Sequence, residues 1–487
     1  MAMMSINPNI ELLKHRRTKI VATIGPQSRR SELIRGLIEH GVDVFRLNMS
    51  HGTVDEHAHA IGLIREHASS LGRHIGVLAD LCGPKIRTGK FHESPITLSL
   101  GASVTVTTRD VIGTTRLIPS QYGALAGDVD IGARVLLNDG AVELRVERIE
   151  GSEIFCQVIA GGSVGNHKGI NLPGVTVSAP SLTEKDIEDA HFALSQEVDF
   201  LALSFVRTAA DIESLRAIVN RYPLRPAIIA KIEKPEALVN SLEIVQAADG
   251  IMVARGDLGV ELRPEQVPLA QNQLIQRARL HDKPVIVATQ MLESMITNAR
   301  PTRAEVSDVS QAVAAGADAV MLSGETAVGE HPLAAVGMMV RIAHQTEAYH
   351  LQERIPFGPV RPDSDHELVP FGDAIAHAVA KLVTEARARA VVVISMQGMT
   401  AVTLSAARPA APIVAITKFP TTARRLSLLW GVLPLVDEEA GTDNPNQVAR
   451  RAVLGLGLGD PGDFVVIVRG FHSEPDLNTP TITLLRI

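Results

Sequence analysis

The stretch RPAIIAKIEKPEALVNSLEIVQAADGIMVARGDLG, residues 225–259, contains the pattern that decides the fold. Two short apolar runs, RPAIIAKI (225–232) and ADGIMVA (248–254), are each followed by charged residues, and a helical segment lies between them. Continuous apolar runs of this length are typical of strands that are buried on both faces of a parallel sheet. The stretch therefore predicts a strand–helix–strand unit with charged groups at the carboxyl ends of its strands.

The same rhythm extends in both directions along the chain. Strands of this kind are predicted at TKIVATIG (18–25), VDVFRLN (42–48), HIGVLAD (74–80), VDFLALSF (198–205), KPVIVAT (283–289) and ADAVMLS (317–323). Eight strand–helix units in about 250 residues are the expected content of a (β/α)₈ barrel. A doubly wound open sheet is the alternative fold, and the number of units disfavours it.

Two regions break this rhythm. Period-two runs with Gly, Asn and Asp turns, and no convincing helix, predict a small all-β, barrel-like lid domain over residues 89–174. The β/α pattern resumes at Thr183, a predicted N-cap with Asp186 three residues later. A long helix (371–388) and four strands then predict a three-layer α/β domain. The predicted domains are an N-terminal helical segment (1–17), the barrel (18–88 and 175–350), the lid (89–174) and a C-terminal regulatory domain (351–487).

Composition restricts the functional class. The chain has 487 residues, 45% of them hydrophobic, and a net charge of -7, which disfavours general binding to nucleic acid or to anionic membranes. The two cysteines, Cys82 and Cys156, cannot form a disulfide framework and indicate a reducing compartment. Because the start of the chain lacks the apolar core of a signal peptide, we expect a cytoplasmic protein.

Polar residues follow the predicted barrel strands, where the active sites of such barrels lie. They are Arg46, Asn48, Asp80, Arg87, Ser204, Lys231, Glu233, Asp257, Thr289, Gln290, Ser323 and Glu325. Glu233 and Asp257 are the best metal candidates, because two carboxylates that leave positions for substrate oxygens and water suit Mg²⁺. The alternative is an arginine–carboxylate network that closes the barrel mouth.

Lys231 has two interpretations. It is either a Schiff-base lysine or a fixed positive charge on a phosphoryl group in transfer. A carboxylate two residues away, Glu233, favours the fixed charge because it keeps the ammonium protonated. Arg46 and Arg87 each alone are more typical of surface ion pairs, but as a cluster they indicate a phosphate or carboxylate ligand.

Eight segments together resemble the pyruvate kinase family, and the likeness covers nearly the whole chain. The segments are TKIVATIGP (18–26), FRLNMSHG (45–52), DLCGPKIRTG (80–89), NHKGINLPG (166–174), IAKIEKPEAL (229–238), MVARGDLGVEL (252–262), ATQMLESMITNARPTRAEVSDV (288–309) and AVMLSGETAVGEHP (319–332). The stretch 288–309 is highly specific. The resemblance implies transfer of a phosphoryl group from phosphoenolpyruvate to ADP, giving pyruvate and ATP.

The resemblance also implies roles for individual residues. Glu233 and Asp257 are expected to hold Mg²⁺, with Mn²⁺ as a substitute, and Arg46 and Lys231 to stabilise the phosphoryl group. The substrate carboxylate is expected on the backbone of Ala254, Arg255, Gly256 and Asp257 together with Thr289. Thr289 and Ser323 are candidates for the proton path to the enolate. Nucleotide binding is expected at Pro26, His51, Arg87, Asp139 and Lys168, the last two from the lid.

The chain departs from the family at a monovalent cation site. K⁺-dependent members resemble DTKGPEIR, whereas here Leu81 replaces the Thr and Lys85 replaces the Glu. Asn48, Ser50 and Asp80 keep the rest of the implied site. Since the Lys85 ammonium can supply the missing positive charge, we predict activity that does not require K⁺.

A second departure lies in the C-terminal domain. The family's phosphate-binding effector loop resembles T-x-S-G-R-[ST], but this chain reads Ser395-Met396-Gln397-Gly398-Met399-Thr400. Because Met399 replaces the arginine, fructose 1,6-bisphosphate is not expected to activate at this loop. A monophosphate, AMP or glucose 6-phosphate, at the loop or at the barrel–C-domain junction is the alternative effector.

Two further functional classes remain open from the sequence. A metal-dependent lyase or aldolase could use the same barrel, although a nucleotide lid with Asp139 and Lys168 disfavours it. A non-catalytic effector-binding protein is the other alternative, and the retention of every charged catalytic residue disfavours it. The family assembles as homotetramers, and the resemblance implies the same here.

Overall fold

The computed structural model of the protein describes residues 16–357, 371–441, 443–470 and 479–487. Nearly all of the N-terminal segment 1–17 and most of the proline-rich segment 356–365 lie outside the described residues. Within the described residues, no helix is long and apolar enough to cross a membrane.

The first part of the chain builds three strands with two helices between them. In chain order they are β1 (Lys19–Ile24), α1 (Ser31–Glu39), β2 (Val44–Asn48), α2 (Val54–Ser70) and β3 (Gly76–Asp80). Helix α2 begins with a capping box, in which Thr53 accepts from the backbone N–H of Glu56 and Glu56 accepts from that of Thr53.

The inserted domain follows β3. Its elements are β4 (Ile96–Leu98), β5 (Ser103–Thr107), β6 (Leu117–Pro119), α3 (Leu125–Asp128), β7 (Arg134–Leu137), β8 (Val142–Glu150), β9 (Glu153–Ala160), β10 (Gly162–Val164) and β11 (Ile170–Asn171). They form a six-stranded sheet in the order β11-β7-β8-β9-β5-β6 and a two-stranded sheet, β10-β4. The lid is therefore β-rich as predicted, but α3 corrects the expectation of an all-β domain.

The β/α alternation then resumes. The elements are α4 (Glu184–Ser195), β12 (Phe200–Leu203), α5 (Ala209–Val219), β13 (Ala227–Ile232), α6 (Pro235–Val239), α7 (Ser241–Ala247), β14 (Gly250–Ala254), α8 (Arg255–Glu261), α9 (Val267–Leu280), β15 (Val285–Ala288), α10 (Arg303–Ala314), β16 (Ala319–Leu322), α11 (Gly324–Ala327) and α12 (Pro332–Glu353). Two short 3₁₀ helices lie at Pro264–Gln266 and Glu293–Ile296. Thr183 caps α4 and Asp186 completes its capping box, as predicted.

Within residues 16–357 eight parallel strands close into a barrel in the order β1-β16-β15-β14-β13-β12-β3-β2. The predicted (β/α)₈ barrel, interrupted after its third strand, is confirmed, and the open-sheet alternative is wrong. The barrel strands are almost entirely buried because side chains pack inside the barrel and beneath the outer helices.

The C-terminal domain contains α13 (Phe371–Glu385), β17 (Val391–Ile394), α14 (Met399–Ala406), β18 (Ile413–Thr417), α15 (Pro420–Leu426), β19 (Val432–Val436), α16 (Pro445–Gly455), β20 (Phe464–Arg469) and β21 (Thr481–Arg486). Among the described residues the sheet order is β19-β18-β17-β20-β21, with separate apolar cores on its two faces. The predicted three-layer α/β domain is confirmed. The sequence reading missed β21, which pairs antiparallel with β20 at the sheet edge.

The lid has an apolar core of its own, separate from the barrel cores. These cores support the predicted domain division, whose residue limits remain a proposal.

The C-terminal domain packs against the amino ends of the barrel strands, opposite the mouth. The ammonium of Lys19 donates to the carbonyl of Val432 at 2.6 Å, and Arg408 pairs with Asp318 at 2.9 Å. Arg424 pairs with Asp199 at 2.8 Å. Buried charged contacts from three different strands therefore join the two domains.

Candidate active site

Two cations share one carboxylate at the barrel mouth. Arg46 Nε donates to Asp80 Oδ2 at 2.7 Å, and Lys231 Nζ lies 3.2 Å from Asp80 Oδ1. The Asp80 side chain is 1% exposed, whereas those of Arg46 and Lys231 are 12% and 11% exposed. The three residues come from β2, β3 and β13. Strand β2 pairs directly with β3, and β12 lies between β3 and β13, so the strand order of the barrel brings the three side chains together. Asp80 thus fixes the two positive charges next to each other.

Ser204 and Glu233 complete the surroundings of Lys231. The ammonium donates to Ser204 Oγ at 2.7 Å and lies 2.9 Å from Glu233 Oε1. Glu233 Oε2 accepts the backbone N–H of Phe205 at 2.8 Å. Every oxygen near the Lys231 ammonium is therefore itself held in place.

The electrostatics favour a charged Lys231. Burial opposes the charge, but Asp80 and Glu233 outweigh it and raise the pKa of Lys231 above its usual value. Burial likewise works against ionisation of Asp80, and the charges of Lys231 and Arg46 nevertheless lower the pKa of that carboxyl. A Schiff-base lysine must lose its proton, so this geometry favours the fixed-charge interpretation.

Glu233 is a buried carboxyl group with a second carboxylate, Asp257, as a neighbour. Burial, and then the neighbouring charge of Asp257, raise the pKa of Glu233, while Lys231 opposes the shift. Two carboxylates that repel each other at a cleft are stabilised by a divalent cation placed between them. The donor set of Glu233 and Asp257 therefore suits Mg²⁺, with the remaining ligands left to substrate and water.

A cradle for an anion lies where β14 meets α8. The backbone N–H of Gly256 donates to Thr289 Oγ1 at 2.6 Å, and that hydroxyl donates to the carbonyl of Ala288 at 2.6 Å. Thr289 and Gln290 have φ of +69° and +53°, a left-handed conformation that costs about 1–2 kcal/mol per residue. The strained turn directs the Thr289 hydroxyl toward the start of α8.

Only the backbone of Arg255 lies at this cradle. Its side chain is buried and donates to Asp308 Oδ1 at 2.6 Å and to the carbonyl of Thr289 at 2.9 Å. The expectation of a backbone contact to substrate is compatible with this geometry, whereas the guanidinium turns away from the mouth.

Ser323 and Glu325 follow β16. Glu325 is buried and accepts the backbone N–H groups of Leu292 and Ser323 at 3.0 and 2.7 Å. Burial raises the pKa of the Glu325 carboxyl. Among the described residues, the buried hydroxyl of Ser323 has no hydrogen-bond partner. An unpaired hydroxyl can accept or donate a proton without breaking an existing bond.

The residues expected to bind nucleotide lie around the gap between barrel and lid. An isolated bridge pairs Arg87 with Gly169. The backbone N–H of Thr88 donates to the carbonyl of Lys168 at 2.8 Å, and the Lys168 N–H donates to Thr88 Oγ1 at 3.0 Å. Asp139 from the lid lines the same gap as Asp257 from the barrel. Partial burial, and then the charges of Arg87, Lys85 and Arg46, lower the pKa of His51. Pro26 lies exposed in the turn after β1.

The implied monovalent cation site is only partly assembled. Asn48 Oδ1 accepts the backbone N–H of Ser50 at 3.2 Å, while both oxygens of Asp80 face Arg46 and Lys231. Lys85 is exposed at the lid–barrel gap and forms no ion pair with any residue that the structure describes. It therefore adds positive charge at the edge of the cleft and does not pair with Asp80.

The implied effector loop joins β17 to α14. Gly398, with φ of +87°, donates its N–H to Ser395 Oγ at 3.0 Å, and α14 starts at Met399. Gln397 and Met399 are exposed, and Thr400 is buried. The loop thus keeps its turn without presenting a cation of its own.

A second cavity, of about 480 Å³, lies at the barrel–C-domain junction. Its charged and imidazole-bearing lining residues are Arg279, Asp282, His350, Arg354, Asp373, His377 and Arg408, so basic groups outnumber the two carboxylates. Burial, and then the charge of Arg408, lower the pKa of Arg279 to about 10. Buried guanidinium groups that disfavour each other's charge are stabilised by an anion.

The sequence reading missed some supporting residues. Thr23 accepts from Arg46 Nη1 at 3.1 Å, Asp308 accepts from Arg255, and Ser204 accepts from Lys231. From the sequence alone Ser204 is a polar strand end with no assigned role. The position of Ser204 directly after β12, next to the end of β13, is the signal that predicts a contact with Lys231. Asp308 belongs to the specific stretch 288–309, but it lies 53 residues from Arg255, and nothing in the sequence pairs the two.

Comparisons with known proteins point to one family. Family models described as "Pyruvate kinase, barrel domain" and "Pyruvate kinase, alpha/beta domain" match residues 15–336 and 373–484. The pyruvate kinase of Mycobacterium intracellulare is 46% identical over 459 residues, covering 93% of this chain and 95% of the relative. That of Mycobacterium tuberculosis is 45% identical over 456 residues, with the same coverage. The crystal structure of a pyruvate kinase from Cryptosporidium parvum matches with a TM-score of 0.87 and 36% identity, over 98% of this chain and 97% of the other.

Proposed function

The chain belongs to the pyruvate kinase family, and on that premise we propose how its barrel mouth performs the reaction. The enzyme transfers the phosphoryl group of phosphoenolpyruvate to ADP, giving pyruvate and ATP. The observation that carries the proposal is the placement of Arg46 and Lys231 on one buried carboxylate, Asp80. Fixed positive charges in a partly buried cleft stabilise the charge that develops on the phosphoryl oxygens during transfer.

Arg46 and Lys231 contact the phosphoryl group in this proposal. Asp80 and Ser204 orient them, so that little reorganisation is needed as the transition state forms. Because Asp80 and Glu233 raise the pKa of Lys231 above its usual value, its ammonium is charged at neutral pH.

Enzymes of this family use Mg²⁺, and Glu233 and Asp257 are the residues that would hold it, with Mn²⁺ as a substitute. When bound, the divalent ion supplies positive charge to the phosphoryl and carboxylate oxygens of the substrate. Lys231 shares Glu233 with this site, so the residue that would hold the ion also orients the charge on the phosphoryl group.

The substrate carboxylate is proposed to bind the backbone at Ala254, Gly256 and Asp257, with the Thr289 hydroxyl. The N–H groups in the first turn of α8 have no acceptor within that helix, and such groups can bind an anion. The Gly256 N–H now donates to Thr289 Oγ1, and a carboxylate oxygen would take over as its acceptor. Thr289 and Ser323 are the proposed proton carriers to the enolate, and the unpaired Ser323 hydroxyl supports the choice.

ADP is proposed to bind between barrel and lid. In this proposal Arg87 and His51 bind it from the barrel, Asp139 and Lys168 bind it from the lid, and Pro26 contacts it from the turn after β1. The lining of the gap by Asp139 and the bridge from Arg87 to Gly169 of the lid support the proposal. Closure of the lid over the nucleotide would exclude water and favour transfer over hydrolysis.

We also propose that the enzyme does not need K⁺. The exposed Lys85 ammonium lies close enough to His51 to affect its pKa, and so adds a permanent positive charge near the nucleotide side of the cleft. The test is pyruvate formation from phosphoenolpyruvate and ADP with Mg²⁺, in tetramethylammonium buffer with and without K⁺. Equal rates support the proposal, strong activation by K⁺ contradicts it, and no pyruvate in either buffer contradicts the catalytic assignment.

A phosphorylated effector is proposed at the barrel–C-domain junction. Arg279, Arg354 and Arg408 line that cavity, whereas the effector loop has Met399 at the position of the family's arginine. A monophosphate such as AMP or glucose 6-phosphate therefore suits the protein better than fructose 1,6-bisphosphate.

Activation curves with the three compounds, for the unmodified enzyme and for Arg354→Ala, test this assignment. A saturable response to a monophosphate that Arg354→Ala weakens would support the junction site. A strong response to the bisphosphate that Arg354→Ala leaves intact would contradict it.

Assembly and location are carried over from the family as proposals. A homotetramer is supported by large apolar side chains left exposed on neighbouring barrel helices, namely Val239, Leu242 and Leu269. Light scattering coupled to size exclusion measures the assembly. The cytoplasm is the proposed location, because the free thiols of Cys82 and Cys156 suit a reducing compartment.

A further inference from the structure

Two consecutive non-glycine residues in the left-handed region mark the loop after β15. Thr289 has φ of +69° and Gln290 of +53°. The first is β-branched, and a β-branched side chain rarely adopts this conformation. Such strain persists only where the surroundings stabilise it, and it is concentrated at functional sites. The strained turn therefore requires a stabilising partner.

That partner is the side chain of Arg255. Its Nη2 donates to the carbonyls of Thr289 at 2.9 Å and of Gln290 at 3.3 Å, the two residues of the turn. Its Nη1 donates to Asp308 Oδ1 at 2.6 Å and contacts Gln271 Oε1 at 3.4 Å. Side chains of α10 and α9 thus bind Nη1 of the guanidinium, while Nη2 binds the strained backbone.

We propose that Arg255 is a positioning residue for the substrate carboxylate. By stabilising the left-handed turn it holds Thr289 Oγ1 at 2.6 Å from the Gly256 nitrogen, which fixes the two groups of the cradle relative to each other. Arg255 begins α8, whose backbone forms the other half of the cradle, so one residue connects both halves. The inference rests on the proposed binding of phosphoenolpyruvate at this cradle.

The chemistry of the guanidinium explains why this position needs arginine. One planar group has to bind two carbonyls on one edge and a carboxylate on the other, and only arginine presents donors in such a fork. A lysine ammonium could bind either the carbonyls of the turn or the carboxylate of Asp308, but it could not bind both at the same time. The Arg255 side chain is 9% exposed, so water does not readily replace a lost hydrogen bond.

The test compares Arg255→Met and Arg255→Lys with the unmodified full-length enzyme. Arg65→Met is the matched control, because Arg65 also binds a carbonyl and a carboxylate, those of Ile75 and Asp199, but at the opposite end of the barrel. The measurements are KM for phosphoenolpyruvate, KM for ADP, calorimetric binding of phosphoenolpyruvate with Mg²⁺ in the absence of ADP, and the thermal midpoint.

We expect both Arg255 variants to weaken phosphoenolpyruvate binding and raise its KM by about tenfold or more, with KM for ADP within about twofold of the original value. The Arg65→Met control is expected to lower the thermal midpoint and to leave the ratio of KM for phosphoenolpyruvate to KM for ADP unchanged. Asp308→Asn retains the Arg255 charge and is expected to raise KM for phosphoenolpyruvate by about threefold, so it tests the inference even if an Arg255 variant does not fold.

The inference is wrong if the folded Arg255 variants bind phosphoenolpyruvate normally, or if their KM values for phosphoenolpyruvate and for ADP rise by the same factor. An unchanged KM for phosphoenolpyruvate in Asp308→Asn would also count against it. Failure of the proposed function would be seen separately, since the unmodified enzyme would then neither bind phosphoenolpyruvate nor form pyruvate.

Discussion

The ammonium of Lys231 lies 2.9 Å from the carboxylate of Glu233, two residues further along the same chain. Residues two apart on a strand project to the same side, so this pair is local in sequence. Their surroundings are not local, because the other partners of Lys231 come from β3 and from the end of β12. Glu233 thus lies between a fixed cation and the proposed metal site.

Replacing Lys231 should remove catalysis with little loss of fold. We expect Lys231→Met to lower kcat by about 10²–10³-fold, because the cation that stabilises the charge of the transition state is lost. Steady-state kinetics with saturating substrates measure the effect. Lys283→Met is the matched control, since Lys283 donates to the carbonyl of Ala248 at the other end of the barrel and should leave kcat nearly unchanged. Similar losses in both variants would contradict the role of Lys231.

Replacing Glu233 should act first on the metal. In Glu233→Gln a neutral amide replaces a carboxylate ligand, and we expect the apparent affinity for Mg²⁺ or Mn²⁺ to fall by at least about tenfold. Metal titrations of the rate, together with direct Mn²⁺ binding, measure it. Glu213→Gln, at an exposed position on the outer helix α5, is the control. Unchanged Mn²⁺ binding in Glu233→Gln would exclude Glu233 as a ligand.

The role of Lys85 can be tested by restoring the residue of K⁺-dependent family members. Lys85→Glu replaces a positive charge at the cleft by a negative one, and we expect a variant that is nearly inactive in tetramethylammonium buffer and is activated by K⁺. The ratio of the two rates is the measurement. A ratio that stays near one in this variant would mean that Lys85 does not take the place of the cation.

Lys19 should make stability depend on pH. Burial lowers the pKa of Lys19 to about 8 from 10.5, with Asp43 and Glu347 opposing and Arg16 and Arg73 assisting the shift. Between these values the unfolded chain binds more protons than the folded protein, so folding becomes more favourable as pH rises. The shift corresponds to about 3 kcal/mol at most.

Urea unfolding of the unmodified protein and of Lys19→Met tests this expectation. The stability of the unmodified protein relative to the variant should be constant below about pH 8 and rise toward about pH 10. A difference that stays flat or falls over that interval would show that Lys19 remains charged when folded.

The two thiols should differ in reactivity. Cys156 is 1% exposed in the lid core, and burial raises the pKa of its thiol to about 12. Cys82 is partly exposed in the segment after β3. Because the thiolate is the reactive species, iodoacetamide near pH 8 should label Cys82 in the folded protein and Cys156 only after unfolding. Mass spectrometry distinguishes the two, and rapid labelling of Cys156 in the folded protein would show that the apolar core of the lid domain opens locally.

Local patterns were sufficient for the secondary structure that they encode. The apolar runs gave all eight barrel strands, and Thr183 with Asp186 gave the start of α4, since a capping box is a contact between residues three apart. The edge strand β21 was missed because its pairing with β20 is what stabilises it. The short helix α3 was missed for a similar reason, as a single turn carries little periodicity.

For the candidate site, the sequence determined which chemical groups follow the barrel strands, because strand ends can be read from apolar runs. It placed Arg46, Asp80, Lys231 and Glu233 at one mouth. Only the tertiary structure decided that Arg46 and Lys231 share Asp80, that Lys85 is exposed at the cleft edge, and that the Arg255 side chain turns toward Asp308. These directions depend on contacts between residues from different strands and helices, and such contacts exist only once the barrel has closed.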